Sequence, residues 1–172
     1  MLRFLALFLF LLFGLLGLEL TRPAQAVLVM PWTGLLAGFC ATLVKAFDPQ
    51  VLAYGNILQS TANGFAVAIQ PGCNGVEACI ILVAGMLAFP ASWRLRLIGL
   101  AIGIVAVQAV NVLRVISLFY LGQWNFAWFE FAHLYLWQAL IILDALVVWL
   151  LWLRWLSRRA PPPTAGASVA AA

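Results

Sequence analysis

The chain has 172 residues, of which 66% are hydrophobic and 8% charged, with a formal net charge of +4. Soluble domains are nearer half apolar and a quarter charged, so this is an integral membrane protein of one domain's length. No basic face recurs along any helix, which excludes nucleic acid as a partner; the cysteines Cys40, Cys73 and Cys79 form neither a C-x-x-C nor a ligand cluster, so no metal and no cofactor is expected.

In chain order, Phe4 to Leu20 is apolar and long enough to span with little tilt. Arg3 ahead of it and Ala24-Gln25-Ala26 after it also fit a signal peptide, but the run is long for one and Arg22-Pro23 crowds the cut. It is read as a retained helix. Val27 to Phe47 is apolar, broken by Pro31, and carries Gly34 and Gly38 in a small-xxx-small packing pattern; it either spans or lies along the interface. From Val51 to Gln70, two strand-like runs flank Ala62-Asn63-Gly64, a hairpin signal. Open sheet edges do not survive in lipid, so this hairpin belongs outside the hydrocarbon. Three clearer helices follow: Asn74 to Phe89, stopped by Pro90; Leu97 to Leu121, with Gly99-x-x-x-Gly103; and Trp128 to Leu153. Tryptophans 124, 128, 149, 152 and 155 fit interfacial belts. The expected fold is an all-α polytopic membrane protein. It has four or five transmembrane helices and a short extracytoplasmic β-hairpin before the helix of Cys73. Residues 1–159 form one domain, and the Pro/Ala-rich stretch 160–172 is expected to be disordered.

Basic residues mark the cytoplasmic ends of spans. With four spans, Arg3, Arg94, Arg96, Arg154, Arg158 and Arg159 fall inside, against Arg22 and Lys45 outside. With five, Arg3 and Arg22 exchange sides and the bias is unchanged. Either way Cys73 lies at the outer surface.

Arg114 stands within the apolar run "VQAVNVLRVISLFYLG". A charge at such depth costs at least a few kcal/mol, so it serves function or a partner; helix–helix glue or snorkelling to lipid phosphate is the plainer reading. Gln108, Asn111, Arg114 and Ser117 recur every three residues as a slowly turning polar stripe. His133, the one histidine, opens the last helix, where packing is again the plainer role. The pair is more informative than either residue. The midpoint of 114 and 133 falls in the turn "GQWN", so two antiparallel helices joined there bring both residues to one depth, roughly a dozen ångströms below the turn. Cys73 begins the neighbouring helix from that side. An internal Cys73–Cys79 disulfide is excluded if both lie on one helix, because six residues mean about 9 Å of rise. A bridge is geometrically open only if Cys73 lies off the helix.

A cysteine is a nucleophile as its thiolate, which a helix N-terminus and a nearby guanidinium both stabilise. Histidine can protonate a leaving amine and then activate a second nucleophile, and Arg114 could instead hold an oxyanion. This is acyl transfer through a thioester. No H-E-x-x-H, G-x-S-x-G or Walker pattern competes. Asn74, Gly75 and Asn111 are expected to support the site or face substrate. Glu130, three residues before His133, could orient it. Glu77 suits the helix dipole, Asp144 could pair with a neighbouring helix, and Cys40 and Cys79 are read as core.

"PGCNG" opening one helix, "NVLR" within the next and "AHLYLW" in the one after resemble, in that order, the exosortase/archaeosortase family of membrane cysteine transpeptidases, and most closely its exosortase H subgroup. The resemblance covers about residues 51–153. It implies that Cys73 is the nucleophile and that Arg114 and His133 complete the site. It also implies substrates that are exported proteins with a C-terminal sorting tail: a motif, a transmembrane helix and a basic cluster. The acyl group would pass to an acceptor the sequence does not identify, at the periplasmic face of a bacterial inner membrane. The alternatives are a non-catalytic membrane subunit, in which Arg114 and His133 only bind helices, and a thiol oxidoreductase using Cys73 and Cys79.

Overall fold

The computed structural model describes residues 1–159; the expected Pro/Ala-rich tail lies outside the described residues. Five helices, α1 (Leu2–Glu19), α2 (Arg22–Lys45), α3 (Val76–Ala88), α4 (Trp93–Trp124) and α5 (Phe126–Arg159), accompany a sheet of β1 (Val51–Tyr54), β2 (Ile57–Ser60) and β3 (Ala66–Ala68). By length and composition α1, α2, α4 and α5 can each cross a membrane. The all-α polytopic class is therefore as expected, with a small sheet just ahead of the cysteine-bearing helix.

The helix after Cys73 departs from expectation. It has 13 residues, about 20 Å of rise, whereas the hydrocarbon core is about 30 Å thick. Gly75 begins it in a left-handed conformation (φ 76°), and Phe89 ends it with extended backbone before Pro90. It packs against α1, α4 and α5, so it is an enclosed central helix, and residues 89–92 complete the path to Trp93. The Gly99-x-x-x-Gly103 pattern of α4 makes these contacts close. Gly99 lies under the Trp152 indole, and a Cβ on Gly103 would stand 2.7 Å from Leu82 and 3.1 Å from Val148. Trp152 is thus buried against Gly99, its indole N–H donating to the Leu95 carbonyl at 3.1 Å, and does not belong to an interfacial belt.

Helix α2 starts at Arg22, capped by the Thr21 hydroxyl, and Pro31 does not break it. A π-turn at Gln25–Val29 precedes the proline, and such a turn absorbs an irregularity in the hydrogen-bond ladder without ending the helix. The inner face of α2 (Leu36, Ala37, Cys40, Ala41, Val44) forms one apolar cluster with Val51, Leu58, Ile69, Val115 and Phe119. Gly34 serves the sheet and not a second helix: its Cβ position lies 3.3 Å from the Gly55 carbonyl oxygen.

The sheet is antiparallel with order β1-β2-β3, one strand more than the single hairpin read from sequence. The Asn63-Gly64 turn joins β2 to β3 as expected. The added strand arises from a two-residue Gly55-Asn56 turn, which pairs Tyr54 with Ile57; Gly55 supplies the positive φ of 55°. Asn63 donates to Gln123 Oε1 at 2.9 Å, and Tyr120 donates to Asp48 at 3.0 Å, tying the sheet to the last turns of α4. At the far end of the bundle, Phe4 packs on Phe89 and Trp149, and Phe89 on Trp152. That end carries Arg3, Arg94, Arg96 and Arg154. The molecule therefore has a basic end and a sheet end.

Candidate active site

The loop before α3 is built to hold Cys73 still. Cys73 N–H donates to the Gln70 carbonyl at 2.9 Å, which turns the chain directly off the end of β3. Asn74 is fully buried, and every polar atom of its side chain is used. Its amide donates to the Thr33 hydroxyl at 3.0 Å, and its carbonyl oxygen accepts from Val76 N–H at 3.1 Å. The Trp32 indole N–H donates to the Asn74 backbone carbonyl at 3.2 Å. Residues 73–75 are thereby pinned to α2 on one side. On the other side Gly75 presses on α4: a Cβ there would lie 2.8 Å from Gln108 Nε2 and 3.2 Å from Asn111 Cγ. Glycine is required at 75 twice over, by φ and by that approach.

Arg114 is 2% exposed, and its Nη2 donates to Cys73 Sγ at 3.4 Å. A buried guanidinium without an anionic partner is expensive, yet no carboxylate lines the space around it. The group positioned to become its anion is the Cys73 thiol. Burial pushes the Cys73 pKa up, the Arg114 charge pulls it down, and the Glu77 carboxylate pushes it up again.

His133 reaches the same place by a local distortion. It lies in a π-turn, Ala132–Leu136, inside α5, a feature that recurs at functional sites because it re-aims a side chain. Phe129 stacks on the imidazole with centroids 5.7 Å apart and planes 7° from parallel. Cys73, Arg114 and His133 then line one cavity of about 240 Å³, together with Phe65–Gln70, Val115, Leu118, Phe126 and Phe129. Counted from Trp93, Arg114 stands 21 residues along α4, about 31 Å by helical rise. That is one hydrocarbon thickness, so the cavity lies at the membrane margin. The dozen ångströms from Arg114 up to the turn are clothed by the sheet.

The polar stripe on α4 divides its tasks. Gln108 Nε2 donates to Cys79 Sγ at 3.5 Å, Arg114 serves Cys73, and the Ser117 hydroxyl donates back to the Arg114 carbonyl at 2.9 Å. Asn111 is fully buried beneath Gly75, and neither its amide nor its carbonyl has a partner among the described residues. Glu130 is exposed, outside the cavity lining, and makes no hydrogen bond with His133; the imidazole is held by Phe129. Asp144 Oδ2 is buried without a hydrogen-bond partner among the described residues. No group of three or more His, Cys, Asp or Glu able to hold a metal occurs among them either. Sequence reasoning missed the clamp of Trp32 and Thr33 on Asn74, the Phe129 stack and the strand lining the cavity. The Gly55-Asn56 turn was a legible signal for the extra strand. The π-turn at His133 has no signature in the residues.

Four apolar helices of spanning length, with this cavity at one end, define a multi-pass membrane protein with a cysteine beside a buried guanidinium. The transmembrane exosortase family model (Exosortase_EpsH) matches residues 1–140, and the chain belongs to that family. The match includes Cys73, Arg114 and His133. No curated protein and no solved structure matches the chain.

Proposed function

We propose that the chain is a membrane cysteine transpeptidase or endopeptidase that cleaves C-terminal sorting tails of exported proteins. The observation that carries this is the Arg114 guanidinium 3.4 Å from Cys73 Sγ, on a cavity that His133 shares. His133 takes the Cys73 proton, and the thiolate attacks the scissile carbonyl. Arg114 stabilises first the thiolate and then the oxyanion. The tetrahedral intermediate collapses as His133 returns its proton to the departing amine, leaving an acyl thioester on Cys73. An acceptor amine, or water, gives a proton to His133, attacks the thioester and expels the thiolate, which is reprotonated. The basic end of the bundle supports an orientation with the cavity at the periplasmic face of a bacterial inner membrane.

The test is co-expression with a tailed substrate, its processing followed by gel shift. C73A is expected to abolish processing and C79A to leave it within about twofold of wild type. Processing that persists in a folded C73A variant overturns the reading. Loss in both variants points instead to thiol redox chemistry.

A further inference from the structure

Strand β3 has one neighbour. Its pairing with β2 is fixed by Leu58↔Val67, flanked by Ser60 N–H donating to Phe65 O at 2.9 Å and Ile69 N–H donating to Asn56 O at 2.9 Å. In an antiparallel ladder such hydrogen-bonded pairs alternate with pairs whose N–H and C=O point the other way. Phe65, Val67 and Ile69 therefore bond to β2, while Ala66 and Ala68 direct their backbone groups outward, to the free edge. That edge does not face a featureless surface. Residues 65–70 line the same cavity as Cys73, Arg114 and His133, and the strand runs into Cys73 through the Gln70–Cys73 turn.

Proteins usually blunt such an edge with lysine, proline, a bulge or a covering segment. Here Ala66 and Ala68 are small, uncharged and exposed, and none of those devices is present on the strand. Elsewhere the sheet is covered on its face: β1 and β2 pack on α2, with Val51 and Leu58 buried. A row of unpaired N–H and C=O groups is a template for pairing with another chain, so an open edge kept beside a thiol points to an occupant that is itself extended backbone.

We infer that the free edge of β3 binds the extended stretch of the substrate tail around its cleavage point by strand addition, main chain to main chain at Ala66 and Ala68. This presents a peptide carbonyl to Cys73. It rests on the transpeptidase reading of the site. Main-chain pairing supplies affinity, and alternate side chains of the added strand enter the apolar part of the cavity near Phe65, Leu118 and Phe129.

The test uses the full chain and the co-expressed tailed substrate. A68P removes an outward N–H that the fold does not use, at an edge position where proline is tolerated. Its kcat/KM is expected to fall by about tenfold or more, one lost hydrogen bond plus misfit of the added strand, while A62S, in the exposed β2–β3 turn outside the cavity lining, stays within about twofold. Labelling of Cys73 by a membrane-impermeant maleimide should match wild type, showing an intact site. Processing by A68P within twofold of wild type, with Cys73 processing-competent, overturns strand addition alone and leaves the transpeptidase standing. A second arm does not depend on cleavage or on the proline variant folding. A68C in a C73A/C79A background is oxidised against single cysteines moved along the tail. Cross-linking that alternates with period two supports an added strand; cross-linking that is uniform or absent overturns it.

Discussion

Cys73 and Cys79 are six residues apart, both partly buried, and each accepts a hydrogen bond from the turning polar stripe of α4. Cys79 takes it from the Gln108 amide at 3.5 Å and Cys73 from the Arg114 guanidinium at 3.4 Å. The distances do not separate them. Charge, backbone and access do. Cys73 precedes α3, in a loop fixed by Asn74 and Gly75, and opens on a cavity with an imidazole and a strand edge. Cys79 is within the helix, on a groove whose lining is apolar apart from Gln108. A nucleophile at a membrane margin requires a charge that favours its anion and a route for a peptide; a polar neighbour alone supplies neither.

The comparison breaks most severely at Arg114. R114Q gives Cys73 the same kind of partner that Cys79 has. Loss of a donor to developing negative charge costs about 10²–10³ in rate, so substrate processing should fall by about that factor, while Q108L, which strips Cys79 of its partner, stays within a few-fold. R114K keeps the charge without the fork and should recover part of the loss. Equal effects of R114Q and Q108L on processing would remove the distinction between the two thiols.

Next in size is the loop that sets Cys73 apart. N74A deletes a buried amide and leaves Val76 N–H without its acceptor, while the Thr33 hydroxyl keeps its bond to the Val29 carbonyl; an orphaned buried donor costs about 1–3 kcal/mol. The melting temperature in detergent should drop accordingly, and processing should fall by about tenfold as Cys73 loses its register with Arg114. C79A, in the helix proper, should change neither by a comparable amount. If N74A lowered stability with processing per folded molecule unchanged, Asn74 would be a fold residue and not a positioning one.

How much of this contrast was legible beforehand follows from its physical origin. Composition and hydropathy decide that the chain lives in lipid, and the midpoint of 114 and 133 about the "GQWN" turn brings Arg114 and His133 to one level, because helical rise is regular. Both residues do line one cavity. Helix lengths were less accessible. Asn74 to Phe89 reads as a span by apolarity, yet α3 is short because enclosure by three helices relieves it of matching the bilayer. Pro31 reads as a break, yet a π-turn accommodates it. The role of Asn74 depends on Trp32 and Thr33, some forty residues away, and pairwise side-chain registry of that kind has no local signal. Glu130 shows the converse. The spacing to His133 was right for a helix, but the side chain points to solvent and an aromatic stack holds the imidazole.

The smallest effect, and the finest test of the contrast, is electrostatic. The Cys73 pKa lies above the ordinary thiol value because burial outweighs Arg114 and Glu77 adds to burial. The thiolate is the charged form. Removing the positive neighbour in R114Q must therefore raise the pH at which Cys73 is alkylated half-maximally, and removing the negative one in E77Q must lower it. At a fixed pH below that midpoint, E77Q should be alkylated faster by a factor of a few, and R114Q slower, with a neutral reagent chosen so that local charge does not bias its approach. Glu77 lies in the first turn of α3, where its charge also favours the helix, so a small loss of thermal stability should accompany the faster alkylation. If E77Q left the alkylation profile unchanged, the carboxylate would be solvent-screened from the thiol, and the balance at Cys73 would be between burial and Arg114 alone.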